Sequence, residues 1–126
     1  MIEFSGKKIA VIDDNDSILM LFTALLEAHQ GKSITFNSGR EFLQHVQEIV
    51  PDLILLDIQM PDLDGYNVLA QLKNMPAMAA TPIVALTAHA MSGDQEHILK
   101  QGFSGYIAKP VDTRAFPDQI ASFLAL

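Results

Sequence analysis

The sequence predicts a doubly wound α/β domain, in which helices cover both faces of a parallel sheet. Short apolar runs rich in β-branched residues alternate with longer segments of helical period, and a capping residue or a glycine marks each change. Five such strand–helix units follow one another. This succession predicts a parallel sheet whose strands are joined by right-handed crossovers. With 126 residues, and about 150 for a typical domain, we expect residues 1–126 to form one domain without an output domain.

The five predicted strands are short and lie next to residues that favour turns. Residues 53–56 are apolar at every position, as expected of a parallel strand covered on both faces. Pro82 precedes the fourth strand, and Gly105 opens the fifth. The strands are predicted at residues 8–12, 33–36, 53–56, 83–86 and 105–108.

Capping residues mark where the intervening helices begin. The predicted caps are Asp16 or Ser17, Ser38 with Glu41, Asp64, and Ser92 with Gln95, and the four helices extend to about His29, Val50, Asn74 and Gly102. The last helix begins near Thr113 or, because Pro117 would delete a hydrogen bond inside it, nearer Phe116.

Composition and charge exclude several classes of function. Apolar residues make up 49% of the chain and charged residues 18%, which argues against intrinsic disorder. The formal charge of -7 argues against direct binding of nucleic acid or anionic lipid. The chain has no cysteine, so disulfides and cysteine-ligated metals are excluded. Because no signal peptide is evident and residues 18–26, the longest apolar stretch, fall short of the roughly 20 needed to span a membrane, we expect a cytoplasmic protein without membrane insertion.

Polar and charged residues follow four of the five predicted strands. Asp13 and Asp14 follow the first strand, Asp57 the third, Thr87 the fourth and Lys109 the fifth. The carboxyl ends of parallel strands lie at one edge of a sheet, where ligands bind. We therefore expect these side chains to converge on one cleft.

The chemistry of these side chains indicates phosphoryl transfer. Three neighbouring carboxylates disfavour simultaneous ionisation unless a cation neutralises them, and oxygen ligands suit Mg²⁺. Lys109 offers a positive charge and Thr87 a hydrogen bond to a phosphoryl group. One carboxylate can act as the nucleophile and form an aspartyl phosphate.

Four ordered motifs resemble the signature of response-regulator receiver domains. They are Val11-Ile-Asp-Asp14, Leu55-Leu-Asp57 with Met60-Pro61 and Gly65, Ala85-Leu-Thr-Ala88, and Tyr106-Ile-Ala-Lys-Pro110. The resemblance spans essentially the whole chain. It implies a flavodoxin-like fold with strand order 2-1-3-4-5, and a switch that accepts a phosphoryl group from a histidine kinase or a histidine phosphotransfer domain.

The resemblance also implies a role for each matching acid. Asp57 would be the phosphoacceptor. Asp14 and Asp57 would bind Mg²⁺ directly together with the backbone carbonyl of Gln59, and Asp13 would bind it directly or through water. Mn²⁺ would suit the same oxygens. The implied activity is self-phosphorylation with slow autophosphatase activity, not multiple turnover of a metabolite.

Further implied roles concern the phosphoryl group and the surface it remodels. Lys109 would bind a phosphoryl oxygen, aimed by a cis Pro110. Thr87 would move toward the phosphoryl group, and Tyr106 would rotate into the vacated space, altering the surface of the fourth helix, fifth strand and fifth helix for a downstream protein. Gly65 would have a structural role in the turn into the third helix.

Two residues that flank the phosphoryl group in this family are expected to set the lifetime of the phosphorylated state. Gln59 lies two residues after the predicted phosphoacceptor, and His89 lies two residues after the predicted switch threonine. The other three histidines share no metal-ligand spacing with it, and surface placement is expected for His29, His45 and His97.

Two other classes of function share parts of this pattern. A haloacid-dehalogenase-like Mg²⁺-dependent phosphohydrolase would use Asp14 and Asp16 as a D-x-D motif, but this interpretation leaves Asp57 unexplained. A flavodoxin-like electron carrier would need a phosphate-binding loop after the first strand, where this chain has acids that repel phosphate. In a purely structural interpretation, Asp13 and Asp14 are turn residues.

The first helix is more apolar than one buried stripe requires. Residues 18–22 are consecutive apolar residues, so some of them face outward. Either neighbouring helices cover the excess, or it forms a docking face for a phosphodonor helix bundle. In the second case, Leu19→Glu would slow transfer from a donor protein without affecting a small phosphodonor.

Overall fold

A computed structural model describes residues 2–61, 63–88 and 92–126 and confirms the doubly wound α/β class. Five parallel strands form one sheet in the order β2-β1-β3-β4-β5. The strands are β1 (Lys8–Ile12), β2 (Lys32–Phe36), β3 (Leu53–Asp57), β4 (Ile83–Thr87) and β5 (Gly105–Ala108). The helices are α1 (Asp16–Ala28), α2 (Gly39–Ile49), α3 (Gly65–Lys73), α4 (Ser92–Gln101) and α5 (Phe116–Phe123), with a 3-10 turn at Pro76–Met78. Each strand lies within one residue of its predicted bounds.

Alternation along the central strands divides the core into two layers. Ile9 and Val11 of β1 pack on one face with α1 and α5, whereas Ala10 and Ile12 pack on the other with α2, α3 and α4. Adjacent strands are in parallel register, so Val11 pairs with Leu55 and both face the α1–α5 layer. The helices therefore cover both faces and leave the carboxyl edge of the sheet open for the site.

Side-chain caps explain where most helices begin. Ser38 Oγ accepts from the Glu41 backbone N–H at 3.2 Å, and Asp64 Oδ1 accepts from the N–H of Asn67 at 2.9 Å, as the caps predicted for α2 and α3. α5 begins at Phe116, the later of its two predicted starts. The described part of the chain contains no helix of the length and apolarity that a membrane span needs.

The predicted cap of α1 was wrong. Asn15 caps this helix, because its backbone is extended and its Oδ1 accepts from the Ile18 N–H at 3.2 Å. Asp16 already lies in the first turn of α1, where its negative charge interacts favourably with the positive end of the helix dipole. The cap of α4 stays a prediction, since α4 begins at Ser92 and residues 89–91 lie outside the described ranges.

The apolar excess on α1 is only partly covered. Leu19 and Phe22 are buried against the sheet, but Met20 is 73% exposed and Leu21 is 38% exposed. Leu19 was therefore the wrong residue to represent an outward face, because a charge there would disrupt the core. Met20 is the more exposed of the two exposed large apolar side chains on α1.

Gly65 lies against the backbone of the loop that follows β3. Its N–H donates to the Ile58 carbonyl at 3.3 Å. A Cβ atom at this position would lie 2.6 Å from Ile58 Cα and 2.7 Å from the Asp57 carbonyl oxygen, closer than carbon and oxygen atoms approach. The absence of a side chain thus sets how closely α3 approaches the end of β3.

We predict that Gly65→Ala lowers the free energy of unfolding by about 1–3 kcal/mol, because backbone must move to admit the methyl group. Urea unfolding measures the change as a lower midpoint at constant slope. Gly93→Ala is the matched control, since a Cβ atom at this position would meet no packing neighbour within 4 Å among the described residues, and alanine favours the helix by about 0.5–1 kcal/mol. Equal midpoints for Gly65→Ala and the unaltered protein would contradict the packing argument.

Candidate functional site

Three carboxylates meet at the carboxyl edge of the sheet. Asp13 follows β1, Asp57 ends the neighbouring strand β3, and Asp14 lies beside them on the β1–α1 loop. Each offers one oxygen atom, and these oxygens all lie within 4.8 Å of one another. Asp13 is fully buried and Asp57 is 3% exposed, whereas Asp14 faces solvent. The predicted convergence of these acids is therefore what the fold produces.

Lys109 supplies the positive charge within this cluster. Its Nζ lies 2.8 Å from Asp13 Oδ2 and 3.3 Å from Asp57 Oδ1. The Lys109 N–H donates to the Thr87 carbonyl at 2.8 Å, which extends the β4–β5 pairing beyond the end of β5. The peptide bond between Lys109 and Pro110 is cis. One lysine thus contacts carboxylates from two different strands.

The same local turn orients both buried acids. Asp13 Oδ1 accepts from the Asn15 N–H at 2.9 Å, and Asp57 Oδ1 accepts from the Gln59 N–H at 3.0 Å. In each case a carboxylate binds the backbone two residues onward, as aspartate does in turns. These bonds hold the two carboxylates in place at the strand ends.

Burial and charge shift the ionisation of the site in opposite directions. Burial raises the pKa of Asp57 and the negative charge of Asp13 adds to this rise, although the Gln59 N–H and Lys109 oppose it. Burial lowers the pKa of Lys109, but its hydrogen bond to Asp13 and the charges of Asp57 and Asp13 outweigh that effect, so the pKa lies above its usual value. Lys109 is therefore held as a cation between the acids.

The donor set fits a hard divalent cation. Every candidate ligand is an oxygen, and the three carboxylates with one ammonium leave two formal negative charges. Lys109 alone does not neutralise this cluster. Asp13, Asp14 and Asp57 are the residues that would hold Mg²⁺, and the loop closed by the Gln59 N–H carries the predicted carbonyl ligand at residue 59.

The predicted switch residues lie on neighbouring strands. Thr87 is fully buried at the end of β4, and Tyr106 is half-buried on β5. Ala85 pairs with Tyr106 and Thr87 pairs with Ala108, so Thr87 and Tyr106 face the same layer, that of α2, α3 and α4.

The residues predicted to set the phosphorylated lifetime are only partly described. Gln59 is exposed beside a cavity of about 180 Å³ at the carboxyl edge. His89 lies outside the described residues. The role predicted for the pair stays a prediction.

Sequence reasoning missed an aromatic contact around this cavity. Tyr66 and His97 line the cavity together with Gln59, Thr87 and Asp94. Burial raises the pKa of Tyr66, and the charges of Asp94 and Asp64 raise it further. The one available signal was that Tyr66 directly follows Gly65, which joins the site loop to α3.

Comparisons with known proteins agree with this geometry. The sequence model of the response regulator receiver domain matches residues 9–121. The polar-differentiation response regulator DivK of Brucella ovis is 39% identical over 118 residues, 94% of this chain and 96% of that protein.

Solved structures show the same fold. A putative response regulator from Chloroflexus aurantiacus superposes with a TM-score of 0.88 at 24% identity, over 95% of this chain and 98% of that one. The receiver domain of a sensor histidine kinase from Pseudomonas aeruginosa has a TM-score of 0.86 at 26% identity, over 97% of this chain and 100% of that one. That structure has a magnesium ion coordinated in its active-site cleft.

We predict that Lys109→Met destabilises the metal-free protein at pH 7 by about 3 kcal/mol, because two buried carboxylates lose their shared cation. The loss is smaller at acidic pH, because burial raises the pKa of Asp57 and protonation of this carboxyl removes one of the unpaired charges. Added Mg²⁺ stabilises the variant more than the unaltered protein, since no lysine competes for the oxygens. Thermal or urea unfolding with and without Mg²⁺ measures both effects.

Lys100→Met is the control for this prediction, because Lys100 is an exposed cation on α4. Its replacement changes stability by no more than about 0.5 kcal/mol, as surface substitutions usually do. Equal losses for the two lysine variants, or no response to Mg²⁺, would contradict the role assigned to Lys109.

Proposed function

Since the chain belongs to the response regulator receiver domain family of two-component signalling, we propose that Asp57 accepts a phosphoryl group from a phosphohistidine on a partner protein. The observation that carries this proposal is the position of Asp57, a buried carboxylate 3.3 Å from Lys109 Nζ and within 4.8 Å of two other acids. An ionised carboxylate in such a site is a nucleophile next to groups that neutralise phosphoryl charge.

In the proposed step, an Asp57 carboxylate oxygen attacks phosphorus and forms an acyl phosphate. The bond between the histidine nitrogen and phosphorus breaks, and its electron pair stays on that nitrogen, so the donor imidazole leaves. Lys109, already beside Asp57, would hydrogen-bond a phosphoryl oxygen and offset its charge. Asp13, Asp14, Asp57 and the Gln59 carbonyl would hold Mg²⁺, which would supply positive charge for the phosphoryl oxygens. Mn²⁺ suits the same ligands.

The phosphorylated state ends when water attacks phosphorus and regenerates the Asp57 carboxylate with release of inorganic phosphate. Gln59 is exposed at the cavity beside the site, where a side chain affects the approach of water. We propose that Gln59 and His89 control the rate of this hydrolysis. The resulting activity is self-phosphorylation followed by slow self-dephosphorylation.

The signal leaves through a change in the surface of α4, β5 and α5. Thr87 and Tyr106 share one layer and adjacent strands, so displacement of Thr87 toward a phosphoryl group opens space on the side of Tyr106. Rotation of Tyr106 into that space alters the outer face of β5. A downstream protein that binds one form of this surface better than the other reads the phosphorylation state.

The phosphodonor is proposed to dock on α1. Met20 is 73% exposed, and with Leu19, Thr23 and Ala24 it lines a shallow groove. α1 starts directly after the acidic loop, so a donor bound there stands beside Asp57. A helix bundle that presents a phosphohistidine next to an apolar strip fits this surface.

The alternative functions find no support. The described acids that cluster are Asp13, Asp14 and Asp57, while Asp16 is an exposed residue of the first turn of α1. A D-x-D phosphohydrolase would require Asp16 in its site. The family match over residues 9–121 accounts for Asp57, which the hydrolase interpretation leaves without a role.

Incubation with Mg²⁺ and acetyl phosphate is expected to add one phosphoryl group, which intact-mass and peptide mass spectrometry place on Asp57. Asp57→Asn abolishes the adduct, and removal of Mg²⁺ by EDTA prevents it. Asp16→Asn is the matched control and keeps the adduct, because Asp16 lies outside the cluster. Turnover of unrelated phosphate esters that depends on Asp16 would favour the hydrolase instead.

We predict that Met20→Glu slows phosphoryl transfer from a donor protein at least tenfold, because a charge is placed in an apolar contact. The reaction with acetyl phosphate stays unchanged, since Met20 is not a member of the acidic cluster of Asp13, Asp14 and Asp57. Leu99→Glu, an exposed apolar position on α4, is the control and leaves donor transfer unaltered. Quenched time courses of phosphoryl transfer from a radiolabelled donor protein compare the variants. Equal transfer rates for Met20→Glu and the unaltered protein would refute docking on α1.

A further inference from the structure

Tyr66 joins α3 to the α4 region through two ring contacts. Its ring centroid lies 5.3 Å from that of His97 on α4, with the planes at 65°. It also lies 5.8 Å from the ring of Phe103, which follows α4, with the planes at 71°. Both are edge-to-face arrangements, which aromatic rings favour. The position of Tyr66 is therefore tied to that of α4.

The backbone next to Tyr66 contacts the strand end that carries the proposed phosphoacceptor Asp57. Gly65, its neighbour, donates its N–H to the Ile58 carbonyl and packs so tightly that a Cβ would lie 2.7 Å from the Asp57 carbonyl oxygen. The same loop carries Gln59, whose N–H binds Asp57 Oδ1. A shift of this loop on phosphorylation therefore displaces the start of α3, and Tyr66 with it.

α4 is held weakly enough to respond. Among its side chains described at residues 93–101, Ile98 is the one that is buried, and Leu99 is 49% exposed. Tyr66, Thr87 and His97 line the cavity of about 180 Å³ beside this helix. That cavity leaves space beside the Tyr66 ring and α4 for a small shift of either.

We infer that Tyr66 couples the phosphorylation site to α4 by a second route, separate from Thr87 and Tyr106. The inference rests on the proposed phosphorylation of Asp57. The first route runs through β4 and β5, whereas this one runs from the β3–α3 loop through Gly65 and Tyr66 to His97 and Phe103. The phosphorylated and unphosphorylated states would place α4 differently. A ring contact that forms in only one of these two positions of α4 changes the equilibrium between them roughly 2- to 10-fold.

Amide chemical shifts of residues 93–101 measure the response of α4 when Mg²⁺ and beryllofluoride are added as a phosphoryl mimic. Thr87→Ala is expected to retain part of the α4 shift, Tyr66→Leu to lose part, and the double variant to lose most of it. Tyr66→Phe keeps the ring and is expected to respond like the unaltered protein. His97→Ala repeats the test from the other side of the contact, should Tyr66→Leu fold poorly.

Signals of residues 57–60 report separately whether the mimic binds. If these signals respond in Tyr66→Leu and in His97→Ala while α4 shifts as in the unaltered protein, the second route is overturned. The same holds if Thr87→Ala alone abolishes the α4 response. If the loop signals of the unaltered protein do not change at all, the proposed function fails, which is a different outcome. Such a double-variant cycle supplies the coupling measurement that a structural route needs.

Discussion

The ion pairs of Lys109 with Asp13 and Asp57 are the constraint on which the rest of the site depends. Two carboxylates are buried side by side, an arrangement that is costly unless a cation is shared between them. Lys109 meets this need in part and leaves a net negative cluster. This remaining negative charge favours a divalent cation, which in the proposed function would offset the charge of the incoming phosphoryl group.

The parallel sheet makes this cluster possible. Lys109 and Asp13 are 96 residues apart in the chain, yet the order β2-β1-β3-β4-β5 brings all strand ends to one edge. Turns in which Asp13 and Asp57 bind backbone N–H groups two residues onward then fix the carboxylates. Gly65 completes the arrangement, because its missing side chain lets α3 approach the end of β3. The packing of α3 and the position of Asp57 at the end of β3 therefore depend on the same close contact at Gly65.

In the proposed mechanism, signalling depends on the parts of the molecule that are packed least. Residues 53–56 of β3 and 83–86 of β4 are apolar and buried, so these strands transmit displacement with little compression. α4, by contrast, contributes few apolar side chains and borders a cavity. A site on rigid strand ends beside a lightly packed helix is an arrangement in which the proposed change of charge at Asp57 would alter the surface at α4.

By itself, the sequence determined the five strand–helix units, the acids at the strand ends and their chemistry, because alternating hydrophobicity and strand-end residues are local patterns. The predicted strand order followed from the family motifs and was confirmed. Only the tertiary structure decided that Asn15 caps α1, that Leu19 is buried while Met20 is exposed, and that Tyr66 contacts His97 and Phe103. It also showed Phe4, before β1, to be buried in the core. These features depend on the orientation of each element and on its distance from its neighbours. Both are set by contacts between side chains that are distant in the chain.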